Sequence, residues 1–141
     1  AGYCVVTYLL GIGDRHLENL LIDKRGKLFH IDFGYILGKD PKPYPPPMKL
    51  CKEMIDAMGG VESEEYKDFQ NKCVNIYWVL RDNARLIVNM FYLMIDSGIP
   101  EINNIEALTK LNEKFMPSST RQEAANSLIS KLSIGSITFP F

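Results

Sequence analysis

Five prolines fall within seven residues, at positions 41, 43, 45, 46 and 47. Each lacks a backbone donor and has its φ fixed near about −65°, so neither a helix nor a ladder strand can run through this stretch. Any fold must be built on either side of it. Before the prolines lie short apolar runs punctuated by glycine. After them the apolar positions recur at helical spacing.

On the N-terminal side, Gly2 to Leu10 reads as the end of a buried helix, stopped by Gly11 and Gly13. Leu20–Ile22 and Lys27–Ile31 read as two strands joined by the polar turn Asp23-Lys24-Arg25-Gly26, a hairpin. Gly34 to Pro47 is an extended loop. On the C-terminal side the spacing predicts a helix over Lys49 to Met58, closed by Gly59-Gly60. Ser63 is an N-cap with Glu64 and Glu65 at the positive helix end, and the apolar stripe behind it runs Tyr66, Phe69, Cys73, Ile76, Tyr77, Leu80. A further helix over Asn83 to Asp96 is apolar on most sides, so it is expected to be surrounded by other helices. Asn104 to Phe115 is another helix, and Thr120-Arg-Gln-Glu123 fits a capping box for a last one. The tail after Leu132 has no clear period and is expected to be loose. The predicted class is α+β: a small β-hairpin with two functional loops, packed on a mainly helical body.

The 141 residues suffice for one domain or one large lobe. A net charge of −1 argues against a nucleic-acid binder. Three cysteines, Cys4, Cys51 and Cys73, form no metal-ligand spacing and read as reduced core thiols. The longest apolar stretch, Ile87 to Ile95, is too short to cross a bilayer and is broken by Asn89. The sequence opens without Met and directly on an apolar run, so a fragment of a longer chain is expected.

The polar residues concentrate beside the strands. Asn19 precedes the first strand and Asp32 follows the second, so an antiparallel hairpin brings an amide oxygen and a carboxylate side by side. Such oxygens suit a hard cation such as Mg²⁺, which takes phosphate oxygens and water as its other ligands. Asp14 stands five residues before Asn19, the D-x-x-x-x-N spacing of protein kinases, and Asp32-Phe33-Gly34 supplies the downstream metal motif. Phosphoryl transfer needs positioned phosphates, neutralised charge and a base near the accepting hydroxyl. His16 or Asp14 takes the hydroxyl proton or orients the group that does; imidazole suits the task because it titrates near about pH 6.5. Leu21 and Ile31 offer an apolar floor to an adenine ring. Lys39 and Lys42 in the proline loop can meet an anionic acceptor. Arg15 reads as structural, paired with a nearby carboxylate, and Glu18 as solvated.

Gly13-Asp-Arg-His-Leu-Glu-Asn19 with His30-Ile-Asp-Phe-Gly34 resembles the catalytic and metal-binding segments of the phosphatidylinositol 3-kinase and related lipid kinase superfamily. There the order is Asp-Arg-His, where protein kinases have His-Arg-Asp. The loop Gly38-Lys-Asp-Pro-Lys-Pro-Tyr-Pro-Pro-Pro-Met-Lys-Leu50 resembles the activation loop of the class III, vacuolar protein sorting type. Class I enzymes carry a basic run there; scattered lysines suit a head group with a single phosphodiester, unphosphorylated phosphatidylinositol.

The resemblance implies a kinase C-lobe over residues 1–133, with a catalytic loop at 13–19, a metal-binding motif at 32–34, an activation loop at 34–50 and a helical body at 48–133, then a divergent or truncated tail at 134–141. It implies ATP with Mg²⁺ or Mn²⁺, proton transfer and transition-state contacts at His16 and Asp14, of which His16 is the favoured base with Asp14 orienting it and Asp14 the alternative, metal binding by Asn19 and Asp32, and an adenine site at Leu21 and Ile31. Gly34, Lys39, Lys42 and Lys49 belong to the loop that selects the lipid head group. By the same resemblance the partners are phosphatidylinositol in membranes, a regulatory pseudokinase scaffold and a coiled-coil adaptor. The place is the cytoplasm, peripheral on endosomal or autophagic membranes. Class III enzymes end in an aromatic amphipathic helix, whereas Pro140 here would block one. No glycine-rich phosphate loop and no strand lysine stand ahead of Asp14, so the 141 residues alone are expected to be inactive. The other functional readings are a Ser/Thr protein kinase of the same superfamily and a non-catalytic binding fragment.

Overall fold

The computed structural model describes residues 1–48 and 50–138. Helix α1 (Gly2–Leu10) leads through a loop to strands β1 (Leu20–Ile22) and β2 (Leu28–His30). After the proline loop come α2 (Lys52–Ala57), α3 (Glu64–Asp82), α4 (Ala84–Leu93), a 3₁₀ turn (Pro100–Ile102), α5 (Ile105–Lys114) and α6 (Arg121–Thr138). The two-stranded sheet is antiparallel, with Leu20 opposite His30, Leu21 opposite Phe29 and Ile22 opposite Leu28. A small antiparallel sheet on a mainly helical body is the predicted α+β class.

The stop signals act as their chemistry demands. Gly11 closes α1 at φ 58°, and its N–H returns to the carbonyls of Thr7 and Tyr8. In the hairpin turn the Asp23 carboxylate accepts from the N–H groups of Arg25 and Lys27, both at 2.8 Å, and Gly26 takes φ 77°. Ser63 Oγ accepts from Tyr66 N at 3.1 Å at the head of α3. Glu123 N donates to Thr120 Oγ1 at 3.2 Å and Thr120 N to Glu123 Oε2 at 2.8 Å, a reciprocal capping box for α6.

Helix α3 is the spine of the body, touching α1, α4 and α6. Its Tyr66, Cys73 and Tyr77 are buried, and Phe69, Ile76 and Leu80 pack against the same core. Two polar groups on this spine secure the far end. Tyr77 Oη donates to the Lys114 carbonyl at 2.9 Å, and Arg81 donates to the carbonyls of Phe115 and Met116 at 2.8 and 2.9 Å. All three cysteines are free and buried, as expected of core thiols.

Three expectations are corrected. The helix expected from Lys49 begins at Lys52, because Leu50 and Cys51 are buried in the approach, Cys51 as an extended N-cap. Helix α4 is not surrounded. It packs on α5 and α3, while Leu86, Met90 and Leu93 remain exposed, Leu93 at 86%. Its apolar composition reflects a second uncovered face among the described residues. Past Leu132 the backbone stays helical to Thr138. Pro140 and Lys49 lie outside the described residues.

Candidate active site

The loop after α1 is shaped by close approach of the segment that follows the hairpin. Leu37 N donates to Leu10 O at 2.8 Å, Gly38 N to Gly11 O at 2.9 Å, and Gly13 N to Tyr35 O at 2.8 Å. A Cβ on Gly13 would stand 2.2 Å from the Lys39 carbonyl oxygen, so no side chain fits there. Asp14 follows at φ 51°, a conformation that costs a residue with a Cβ on the order of 1 kcal/mol. Its peptide is held from both sides: Asp14 N donates to Asp40 Oδ2 at 3.2 Å, and Asn19 Nδ2 donates to Asp14 O at 3.0 Å.

Two tight turns then fold the loop on itself, His16 N to Asp14 O at 3.2 Å and Asn19 N to His16 O at 3.0 Å. They bring the side chains of Asp14, His16 and Asn19 together. Asn19 Nδ2 lies 2.8 Å from His16 Nε2 and 3.5 Å from Asp14 Oδ2, and His16 Nε2 is 3.5 Å from the same carboxylate oxygen. An amide nitrogen only donates, so Nε2 accepts in this arrangement and carries the ring's lone pair. The amide N–H groups of Asn19 are occupied, which leaves Oδ1 to face anything positive.

The hairpin returns the chain at Asp32 to the same end of the sheet. Ile31 N donates to Asn19 O at 3.1 Å, which extends the ladder one pair beyond the strands and makes Asp32 the next residue along. Asp32 Oδ1 accepts from Gly34 N at 2.9 Å. Among the described residues no hydrogen bond joins the side chains of Asn19 and Asp32; two acceptor oxygens need a cation to draw them together. Nor do the described residues assemble three or more His, Cys, Asp and Glu side chains into a cluster. A cation here would have few protein ligands, which fits Mg²⁺ with its retained waters and phosphate oxygens and does not fit an all-protein cage.

Register sets the faces of the hairpin. Opposed residues share a face, and the period is two, so Leu21 and Phe29 lie on the face of Asn19 and Ile31. Leu21, Phe29 and Ile31 are 43, 44 and 51% exposed, an apolar shelf beside the polar corner. Leu21 and Ile31 were expected there. Phe29 was missed, although counting pairs back from the Asp23–Gly26 turn would have found it. The opposite face carries His30, which is buried with its ring edge-on to Phe33 at 5.6 Å; burial pushes its pKa down, opposed by the Asp32 backbone.

The loop residues are placed unevenly. Lys42 is exposed and its N donates to Asp40 Oδ1 at 2.8 Å. Lys39 Nζ turns to the Pro100 carbonyl at 3.4 Å, onto the helical body. Gly34 is exposed. Arg15 corrects its expectation: among the described residues it forms no ion pair with a carboxylate, and its Nη2 donates to the Pro46 carbonyl at 2.7 Å. The guanidinium lies under a loop whose prolines supply acceptors without donors. Asp40, which reaches Asp14, was not singled out from the sequence; an Asp before a proline reads as a turn residue until the fold brings it to its partner.

The family model described as phosphatidylinositol 3- and 4-kinase matches residues 1–104. The chain belongs to this family. The match includes the Asp14–Asn19 loop, the hairpin and the whole proline loop of this phosphatidylinositol 3- and 4-kinase family member. Curated relatives align further. A phosphatidylinositol 3-kinase, nodule isoform, of Glycine max is 59% identical over 117 residues, 82% of this chain. Phosphatidylinositol 3-kinase VPS34 of Arabidopsis thaliana is 57% identical over 117 residues, also 82% of this chain. Phosphatidylinositol 3-kinase pik3 of Schizosaccharomyces pombe is 50% identical over 126 residues, 88% of this chain. The aligned segment spans 14% of the length of each of the two plant proteins and 16% of the yeast one.

Proposed function

We propose that this chain is the C-lobe of a phosphatidylinositol 3-kinase, transferring the γ-phosphate of ATP to the 3-hydroxyl of phosphatidylinositol. The observation that carries the reading is the cluster of Asp14, His16 and Asn19 at one end of a hairpin whose other strand leads into Asp32. The names of the relatives, all phosphatidylinositol 3-kinases, support the same substrate.

In this reading His16 Nε2 exchanges the Asn19 amide hydrogen for the proton of the lipid hydroxyl, and the Asp14 carboxylate, 3.5 Å away, holds the imidazole in place. Asn19 orients the ring through its amide and turns its Oδ1, with the carboxylate of Asp32, toward a divalent cation. The cation, Mg²⁺ or Mn²⁺, neutralises charge on the phosphates when bound. The shelf of Leu21, Phe29 and Ile31 carries the adenine. The loop 34–50, with Gly34, Lys39, Lys42 and Lys49, receives a head group bearing a single phosphodiester; among the described residues of the loop Lys42 is exposed and can turn to it, whereas Lys39 is held at Pro100. Residues 1–133 form the lobe with its loops and helical body, and 134–141 the tail. No helix among the described residues is long and apolar enough to cross a membrane, so the reading has the enzyme meet its lipid peripherally. A scaffold and an adaptor of the kind the resemblance implies would deliver it to endosomal or autophagic surfaces.

The test uses the full-length enzyme with labelled ATP, Mg²⁺ and phosphatidylinositol vesicles. Product should form in the wild type and fall by more than about a hundred-fold in Asp32→Ala, beyond the usual cost of a group that only supports a metal ligand. Unchanged turnover in Asp32→Ala would refute the metal role, and labelling of peptides with no labelling of lipid would replace the lipid kinase by a protein kinase.

A further inference from the structure

We propose that Arg15 and Asp40 are positioning residues that clamp the proline loop to the catalytic loop at two points. This rests on the phosphatidylinositol 3-kinase reading and names what holds its acceptor loop in place. The two links start from consecutive residues. Asp14 N donates to Asp40 Oδ2 at 3.2 Å, and Arg15 Nη2 donates to Pro46 O at 2.7 Å. The tethered segment therefore runs from Asp40 to Pro46, with residues 41–45 exposed between its anchors.

Each anchor answers a local need. The carbonyl of Pro46 is buried beside Met48 and Leu50, which are 0 and 2% exposed, and the neighbouring prolines offer it no donor. A buried carbonyl left unpaired is costly, and a charged donor is among the stronger partners it can have. Arg15 supplies one from inside the catalytic loop, itself 7% exposed. Its Nη1 has no partner among the described residues, so one terminal nitrogen makes the link. Asp40 divides its carboxylate, Oδ2 to the catalytic loop and Oδ1 to Lys42 N, which fixes the first turn of the arch. Because Asp14 and Arg15 immediately precede His16 in sequence, the base and the acceptor loop move as one unit. Loss of the clamp lets the lipid hydroxyl wander relative to His16 and leaves the nucleotide side intact.

The full-length enzyme is compared with Arg15→Met, Arg15→Lys and Asp40→Ala in three measurements. These are phosphorylation of phosphatidylinositol vesicles, ATP hydrolysis to water without lipid, and hydrogen exchange over residues 38–50. Arg15→Met should lower kcat/KM for the lipid by about ten-fold or more and lower lipid-free hydrolysis by a clearly smaller factor. Arg15→Lys, a single point donor, should recover part of the loss. Asp40→Ala should raise exchange in the loop and lower lipid turnover, and it decides the matter if Arg15→Met does not fold. Equal losses in lipid phosphorylation and in hydrolysis would overturn the clamp, as would loop exchange unchanged in every variant. If the wild type phosphorylates no phosphatidylinositol, the functional reading falls; the exchange measurement still decides the clamp.

Discussion

The two halves of this molecule are held by different forces. Up to residue 48 there are 9 residues of helix and two strands of 3 residues each. The rest of that part is loop, pinned to the core at Leu37 and Met48 and fixed between those points by single polar links such as Asn19 to Asp14 and Arg15 to Pro46. Beyond it α3, α5 and α6 carry side-chain N-caps, and the core that α1 enters with Val5 and Leu9 continues through Tyr77, Leu108, Phe115 and Leu128. Burial is non-directional and spreads its contribution over many contacts, whereas a hydrogen bond depends on one geometry. Changes in the first half should therefore strike activity before stability, and changes in the second half the reverse.

The largest test is His16→Gln in the full-length enzyme. The amide keeps a polar group near Asn19 and cannot serve as base, so kcat should fall by about 10²- to 10⁴-fold, with the KM for ATP and the melting temperature little changed. A collapse of stability instead would erase the contrast between the halves. Phe115→Ala should do the opposite. The ring is 1% exposed, and its removal should cost about 3–5 kcal/mol in urea unfolding, with kcat retained where the protein stays folded. Ser63→Ala sharpens the second half further. It removes the α3 cap, for about 1 kcal/mol.

The smallest effect depends on pH. Lys114 reaches back from α5 to the carbonyls of Tyr8 and Leu9 at 2.8 and 3.4 Å, joining the two halves. Burial, with a smaller push from Arg15, lowers its pKa from 10.5 to about 8. Between those values the unfolded chain holds a proton that the folded chain has released, so this group's contribution to stability rises as pH rises from about 8 toward 10.5. Burial raises the Cys73 thiol from 9.0 to about 12, so above 9.0 the unfolded thiol ionises first and stability falls. The clean window is pH 8 to 9. Urea midpoints there should climb more steeply in the wild type than in Lys114→Met; identical slopes would show that the amine stays protonated at its carbonyls.

Much of this was legible in advance because its causes are local. Gly11, the Asp23–Gly26 turn, Ser63 and the Thr120–Glu123 box act through neighbours within a few residues, and each forms as its chemistry predicts. The gathering of Asp14, His16 and Asn19 was legible for the same reason, since six residues and two turns suffice. The exposed face of α4 was not, because an apolar helix reads alike whether buried on all sides or left half uncovered. The partner of Arg15 was hidden too: a guanidinium donates to a carbonyl as well as to a carboxylate, and Pro46 lies 31 residues away.

The sequence by itself determined where the chain turns, where its helices begin and which polar groups cluster at the hairpin's end, because those choices are made by backbone and side chain within one or two turns. Only the tertiary structure decided that Asp40 and Pro46 meet residues 14 and 15, that Phe29 joins Leu21 and Ile31, and that Lys39 is drawn to Pro100. Those contacts depend on how the proline loop lies across the helical body, and no local preference encodes a position that packing elsewhere must set.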